Sequence, residues 1–400
     1  MNGKEPNKQS LCFFGIALSF FFVLCTELFR RMASLYPSLF VEGHYHSDLG
    51  ARLTMPRGNP YSLFLIPITT FFDKLGKSTG SYCIGIYVSF FVVGTVILTY
   101  LLLKKLCPQA KTHMLMIGAF ICIFVCPIYS TLFGPQNALY GAYDGAVWHN
   151  ETFIGMRFFS ILVLLFFQNN CINYLDKFSL KDFFISCILF TAVNIAKPNF
   201  IIAFAPAMLV MMIIDIIKAR GHGIGKWILY GLPVIIGSVV LIYQYFNLFP
   251  NDASSDSSHV VFVFGDTIKN SKYPLIDFLR SYAFPLFTFV VYRKEFMKSK
   301  FHLVCCLGWL FSFLEYFFLA ESGARADHGN FSWGIHFFTF LIFCLSIGFW
   351  INGYANSSNN KTNTSKTKLS CRIIPFIGNM LMGLHLISGL LYFALVLMGW

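Results

Sequence analysis

Between Phe183 and Ile217 the chain is one long hydrophobic stretch. As a single helix rising 1.5 Å per residue it would reach about 52 Å, which no ordinary bilayer accommodates. A break is required, and AKPNF supplies it. Pro198 removes a helix hydrogen bond and disfavours helical geometry at Lys197. Lys181 precedes the stretch and Lys218, Arg220 and Lys226 follow it. Both limbs therefore start from the same side, and Lys197 marks the turning point on the other. The first limb, Phe183 to Ala196, is about 21 Å long. That length places Lys197 below the far surface, in a cavity rather than in bulk water, and makes it a candidate functional residue.

Composition says the same of the whole chain. Only 12% of residues are charged and 56% are apolar, against about a quarter charged in a soluble domain. Hydrocarbon offers backbone groups no partners, so spans are helices or a closed barrel. Runs of about 20 apolar residues without alternation select helices. The expected fold class is all-α, a polytopic transmembrane bundle forming one integral membrane domain over residues 1–400, with neither an internal repeat nor a separate soluble domain. A net charge of +12 does not imply nucleic acid, because membrane proteins collect Lys and Arg on cytoplasmic loops and against anionic lipid. The 12 cysteines fall mainly inside apolar segments and show no disulfide framework. Cys122 and Cys126 read as small core residues rather than zinc ligands.

Taken in order, a first helix over Leu11 to Phe29 ends among Glu27, Arg30 and Arg31, whose spacing lets the carboxylate pair with either arginine. A first extracytoplasmic loop, 30–81, contains an interfacial or re-entrant helix at Tyr61 to Leu75, about 22 Å long and too short to span. Tyr82 to Leu103 ends on Lys104, Lys105 and Lys111, a cytoplasmic signal. His113 to Phe133 then returns outward into GPQNALYGAYDGAVWHNET. The later spans are Ile154 to Gln168, the two limbs around Lys197, Trp227 to Phe249, Leu275 to Tyr292, Phe301 to Ala320, Ile335 to Asn352 and Ile374 to Trp400, with a cytoplasmic linker at 354–373. Arg157, a turn below the outer edge, is expected to snorkel upward. The count is eleven crossings, or nine and a re-entrant hairpin. Inner segments hold 18 of the Lys and Arg residues and outer segments 10. That bias sets a cytoplasmic N-terminus in a multi-pass protein of the cell membrane.

Under this topology the charged groups outside the inner loops share one face. The densest cluster is EGHYHSDLGARL, Glu42 to Leu53, with His44, His46, Asp48 and Arg52. Asp144, His149, Glu151, Asp266, Glu321, Arg325, Asp327 and His328 join it. The cytoplasmic loops are short and lack a Gly-rich phosphate cradle, so chemistry is expected outside the cytoplasm and without nucleotides. An activated substrate there must be carried by lipid, whose phosphate would suit Arg52, Lys197 and Arg325. Glu315 lies inside a span, where a carboxylate is costly and marks a functional hypothesis. Its plainer role is an ion pair with an intramembrane arginine such as Arg280.

In layout the chain resembles the GT-C superfamily of membrane glycosyltransferases, which take a sugar from a polyprenyl phosphate carrier. The shared features are a first helix, a long outer loop with an acidic residue, an interfacial helix and then many spans. On that resemblance Asp48 in HYHSDLGARL is the catalytic acid, and Lys197 in AKPNF is the basic residue before proline in a mid-chain turn. WHNET, with His149, and ARADHGNFSW, with Arg325 and Trp333, look like outer-loop contacts to sugar or phosphate. The chain has one Asp where many members show paired acidic residues. The implied reaction is a single inverting displacement. Asp48 takes the proton of the acceptor hydroxyl, while Arg52, Lys197 and Arg325 stabilise the departing lipid phosphate. Glu321 joins the substrate contacts, and Trp148 or Trp333 stacks on a sugar ring unless these tryptophans are interfacial anchors.

The partners implied are a polyprenyl-phosphate-linked sugar, a cell-envelope glycan or lipid acceptor and membrane lipid, with no nucleic acid. No cofactor is demanded. A divalent metal has one weak candidate set, His44, His46 and Asp48, which share a side in extended chain; imidazole suits zinc or manganese better than magnesium. Two other classes compete. A polysaccharide polymerase or ligase would share the lipid-linked substrate without a base in the first loop. A transporter would place its charges near the midplane in discontinuous helices and show repeated halves.

Overall fold

The structure is a computed structural model that describes residues 8–34, 49, 53, 60–130, 147–170, 173–248, 259–265, 273–323, 329–359 and 370–399. Its apolar runs fold as helices, the state that pairs every backbone group inside the segment. They are α1 (Lys8–Ser34), a 3₁₀ turn at Pro60–Leu65, α2 (Ile66–Leu75), α3 (Lys77–Leu106), α4 (Thr112–Phe124), α5 (Glu151–Asn170), α6 (Tyr174–Lys177), α7 (Leu180–Ala196), α8 (Asn199–Lys218), α9 (Ile224–Leu248), α10 (Pro274–Phe296), α11 (Lys300–Phe318), α12 (Ser332–Asn359) and α13 (Ser370–Met398). Two short strands, β1 (Val260–Phe262) and β2 (Leu319–Glu321), form the sheet among the described residues. Nine of the described helices are long and apolar enough to cross a membrane. Helix α4, with 13 residues, and α7, with 17, are shorter.

The required break forms where the sequence places it. Helix α7 starts on a capping box, with the Asp182 amide donating to Ser179 Oγ at 3.2 Å and the Ser179 amide donating to Asp182 Oδ2 at 3.0 Å. It stops at Ala196. Lys197 is extended, at φ −168° and ψ 130°, and α8 begins directly after Pro198.

Side-chain contacts sort the helix ends onto two faces. On one, Lys105 donates to the Leu165 carbonyl and to Asn169, Asn352 donates to the Leu106 carbonyl, and Lys300 pairs with Asp215 at 2.7 Å. On the other, Arg31 reaches the Leu397 carbonyl and Arg30 lies over the Tyr82 ring. Glu27 pairs with both Arg30 and Arg31, at 2.6 and 2.7 Å. The ends that the alternating sequence reading assigns to one side do meet.

Several details differ from the sequence reading. Helix α4 stops at Phe124 rather than near Phe133, because Pro127 donates no amide and drives Cys126 out of helical geometry. The chain from Val125 to Ser130 runs on without helix. Other elements satisfy its backbone: the Ile128 amide donates to the Arg280 carbonyl at 3.0 Å, the Tyr129 amide donates to Ser388 Oγ at 2.9 Å, and His385 Nδ1 lies 2.6 Å from the Cys126 carbonyl oxygen. Helix α13 passes so close there that a Cβ at Gly389 would overlap the Phe124 carbonyl. Helix α12 continues to Asn359, past the expected stop at Asn352. Trp148 is fully buried among Phe21, Phe124 and Phe393, its ring centre 4.7 Å from that of Phe393. It is a core residue, closed both to a sugar ring and to the interface. Van der Waals packing of this kind, rather than release of water, holds helices together in lipid.

Candidate active site

Lys197 is the centre of the arrangement. An extended residue between two helices projects its side chain away from both axes, and here it turns into the bundle, only 5% exposed. The ammonium lies 4.2 Å from the centre of the Trp333 ring and donates to Thr152 Oγ1 at 3.4 Å. Thr152 is held by Asn150, which caps α5: the Phe153 amide and the Thr152 hydroxyl both donate to Asn150 Oδ1 at 2.8 Å. Trp333 opens α12, and His149, Phe153 and His336 surround it with ring centres 5.9, 5.6 and 5.5 Å away. The aromatic floor holds the ammonium in place, and the apolar wall screens its charge less than water would.

Beside this pocket runs a line of carboxylates and amides. Glu321, buried at the end of β2, accepts from Asn330 Nδ2 at 2.6 Å. The Asn330 carbonyl accepts from Asn199 Nδ2 at 2.8 Å, and the same amide reaches Glu315 Oε1 at 3.3 Å. Glu315 Oε2 is buried without a hydrogen-bond partner among the described residues. It presses against the first turn of α12, where a Cβ at Gly334 would stand 2.9 Å from it. Glycine at 334 is what lets the Glu315 side chain approach that helix start.

Of the residues expected from sequence, Lys197, His149 and Trp333 converge, and Glu321 joins them through Asn330 and Asn199. Asp48, Arg52, Arg325, His44 and His46 lie outside the described residues, as do Asp144, Asp266, Asp327 and His328. Leu49 and Leu53 are described: Leu49 is 1% exposed in the core, and Leu53 packs half-buried against it. Two expectations are corrected. Arg157 does not snorkel; it is fully buried, its guanidinium 5.7 Å from the Phe153 ring centre and 5.3 Å from that of Phe340, where two π faces replace water. Arg280 does not pair with Glu315. It reaches Asp277 at 2.6 Å, one turn away on its own helix, together with the Ile128 carbonyl. Sequence reading missed Asn150, Thr152, Asn199, Asn330 and His336. Most are neutral polar residues that raise no charge signal, although Asn150 and Thr152 stand in WHNET, Asn199 in AKPNF and Asn330 in ARADHGNFSW.

Among the described residues no group of three His, Cys, Asp or Glu side chains is placed to hold a metal ion. Further along α5, α7, α8 and α9, Phe167, Ser186, Phe190, Met208 and Tyr230 line a narrow apolar crevice with only about 10 Å³ of free volume. Compared with known protein families, curated proteins and solved structures, the chain finds no match in any of the three.

Proposed function

We propose that this protein is a membrane glycosyltransferase that moves a sugar from a polyprenyl-phosphate carrier to a cell-envelope glycan or lipid, on the extracytoplasmic face. The observation that carries the reading is Lys197, a cation on an indole floor at the point where a hydrophobic hairpin breaks. Both limbs of that hairpin are nearly full-length helices, so the break stands at the end of the bundle. A transporter site would stand near the midplane. Excess Lys and Arg at the opposite helix ends favours an extracytoplasmic site.

In the reaction, the acceptor hydroxyl gives its proton to Asp48 as its oxygen bonds to the anomeric carbon. The bond from that carbon to the phosphate oxygen breaks, and polyprenyl phosphate leaves against Lys197, Arg52 and Arg325. Leu49, which follows Asp48 in sequence, is buried, and Leu53 packs half-buried against the core, which supports this role. Trp333 positions Lys197, and the face that meets the ammonium is closed to a sugar. His149 stands against Trp333, and Glu321 is linked to Asn199 through Asn330.

The test uses purified protein in nanodiscs, polyprenyl phosphates carrying different single sugars and a cell-envelope glycan. Asp48→Asn should lower turnover about 10²- to 10⁴-fold and leave donor binding unchanged. Transfer by Asp48→Asn at the parent rate would remove the assigned base. Transfer of a whole glycan in place of one sugar would favour the polymerase reading.

A further inference from the structure

Helix α11 ends on Phe317 and Phe318, with Glu315 buried in the same turn, and the chain then becomes β2. Strand β1 lies antiparallel to it, with Val260 opposite Glu321 and Phe262 opposite Leu319. The ladder runs on along the helix end: the Val263 amide donates to the Phe318 carbonyl at 2.8 Å and the Gly265 amide to the Phe317 carbonyl at 2.9 Å. Alternation puts Val260, Phe262 and Phe264 on one face. Phe262 is 74% exposed and Phe264 77%. Phe262 stacks on Phe318 at 5.2 Å and Phe264 meets Phe317 edge-on at 5.0 Å, so the face is held at a fixed height beside the helix end.

That height says what covers it. With 19 residues, α11 is about 28 Å long and ends where the hydrocarbon ends. Helix α10, joined to α11 by residues 297–299 alone, packs Phe278 and Tyr282 against Trp309 of α11 and exposes Leu275, Ile276 and Leu279 in its first turns. The strand face therefore meets the boundary at which the lipid-facing side chains of two neighbouring spans stop. None of its three side chains has a polar atom to offer a glycan hydroxyl.

We propose that Val260, Phe262 and Phe264 seat in the interfacial layer of the bilayer as a lipid anchor. The anchor fixes more than its own strand. Val260 pairs with Glu321, so lipid contact sets the height of the Glu321 carboxylate and of its bond to Asn330. The inference stands whether or not the chain transfers sugar.

Single cysteines at positions 260 to 264, in otherwise cysteine-free full-length protein, are labelled with bimane in phosphatidylcholine vesicles. Phosphatidylcholine brominated near the glycerol end should quench positions 260, 262 and 264 at least twofold more than 261 and 263, and aqueous iodide should show the reverse. Equal iodide quenching at all five positions, with no effect of bromine, would overturn the anchor. Protection of 262 and 264 by added cell-envelope polysaccharide, without bromine quenching, would replace it with a glycan platform. Should the substituted chains fail to fold, hydrogen exchange on the unaltered protein decides. Amides of 260–265 and 319–322 should exchange at least tenfold more slowly in nanodiscs than in amphipol, and equal rates would reject the proposal.

Discussion

The Lys197 ammonium stands over the Trp333 ring at 4.2 Å, so the cation at the helix break and the first turn of α12 form one unit. Trp333→Leu keeps the volume apolar but removes the π face. Binding of polyprenyl phosphate in nanodiscs should weaken about 3- to 10-fold, and Lys197→Met should weaken it further. Lys197→Arg should keep most of the affinity. Equal affinity in parent and Trp333→Leu protein would dissolve the unit.

A second expectation concerns Gly334. Its missing Cβ leaves room for Glu315 Oε2, which would otherwise be 2.9 Å away. Gly334→Ala should cost about 1–3 kcal/mol through overpacking, seen as a lower unfolding temperature in detergent. Combining it with Glu315→Ala should cost less than the sum of the two, because the first clash is then gone. Additive losses would show that the two residues are independent.

The break at Lys197, the alternation of spans and the lysine-rich face were all legible because each is local: a proline, a run length, a charge count. Partner choice was not. Arg280 took Asp277 one turn away instead of Glu315, and Arg157 took two phenyl rings instead of the surface. Which competitor wins depends on helix rotation, and that is set by packing across the bundle. Asn199 and Glu315 are 116 positions apart, and no spacing rule reaches that far. The strand pairing of Val260 with Glu321 was hidden for the same reason, since it joins residues from two different loops.

Cys107 gives a pH-dependent expectation. Its thiol donates to the Gly348 carbonyl at 3.0 Å, and burial pushes its pKa up from 9.0 to about 12. The folded state thus favours the protonated thiol. Its contribution to stability is complete below about pH 9 and is lost as pH climbs toward 12. At pH 8 maleimide should modify Cys107 at least about a hundredfold more slowly than a cysteine placed at the exposed Lys298, since the thiolate is the reacting form. Comparable rates would contradict the burial.

Orientation is open to direct measurement. His259→Cys and Lys298→Cys, both at exposed positions, should react with an impermeant thiol reagent from outside and from inside the cell respectively, as the lysine bias requires. The opposite pattern would move the Lys197 pocket to the cytoplasm and end the extracytoplasmic reading.

The non-helical run after α4 bears on how the protein is made. His385 and Ser388, which meet the backbone of Cys126 and Tyr129, are synthesised 259 residues after those partners. Until α13 reaches the membrane, that run has amides and carbonyls in hydrocarbon with part of their bonding missing, each a cost of several kcal/mol by general estimate, about 2–7. Helix α4 therefore has reason to wait at the membrane surface or in the insertion machinery, and its settling becomes a late step that only a nearly finished chain can complete.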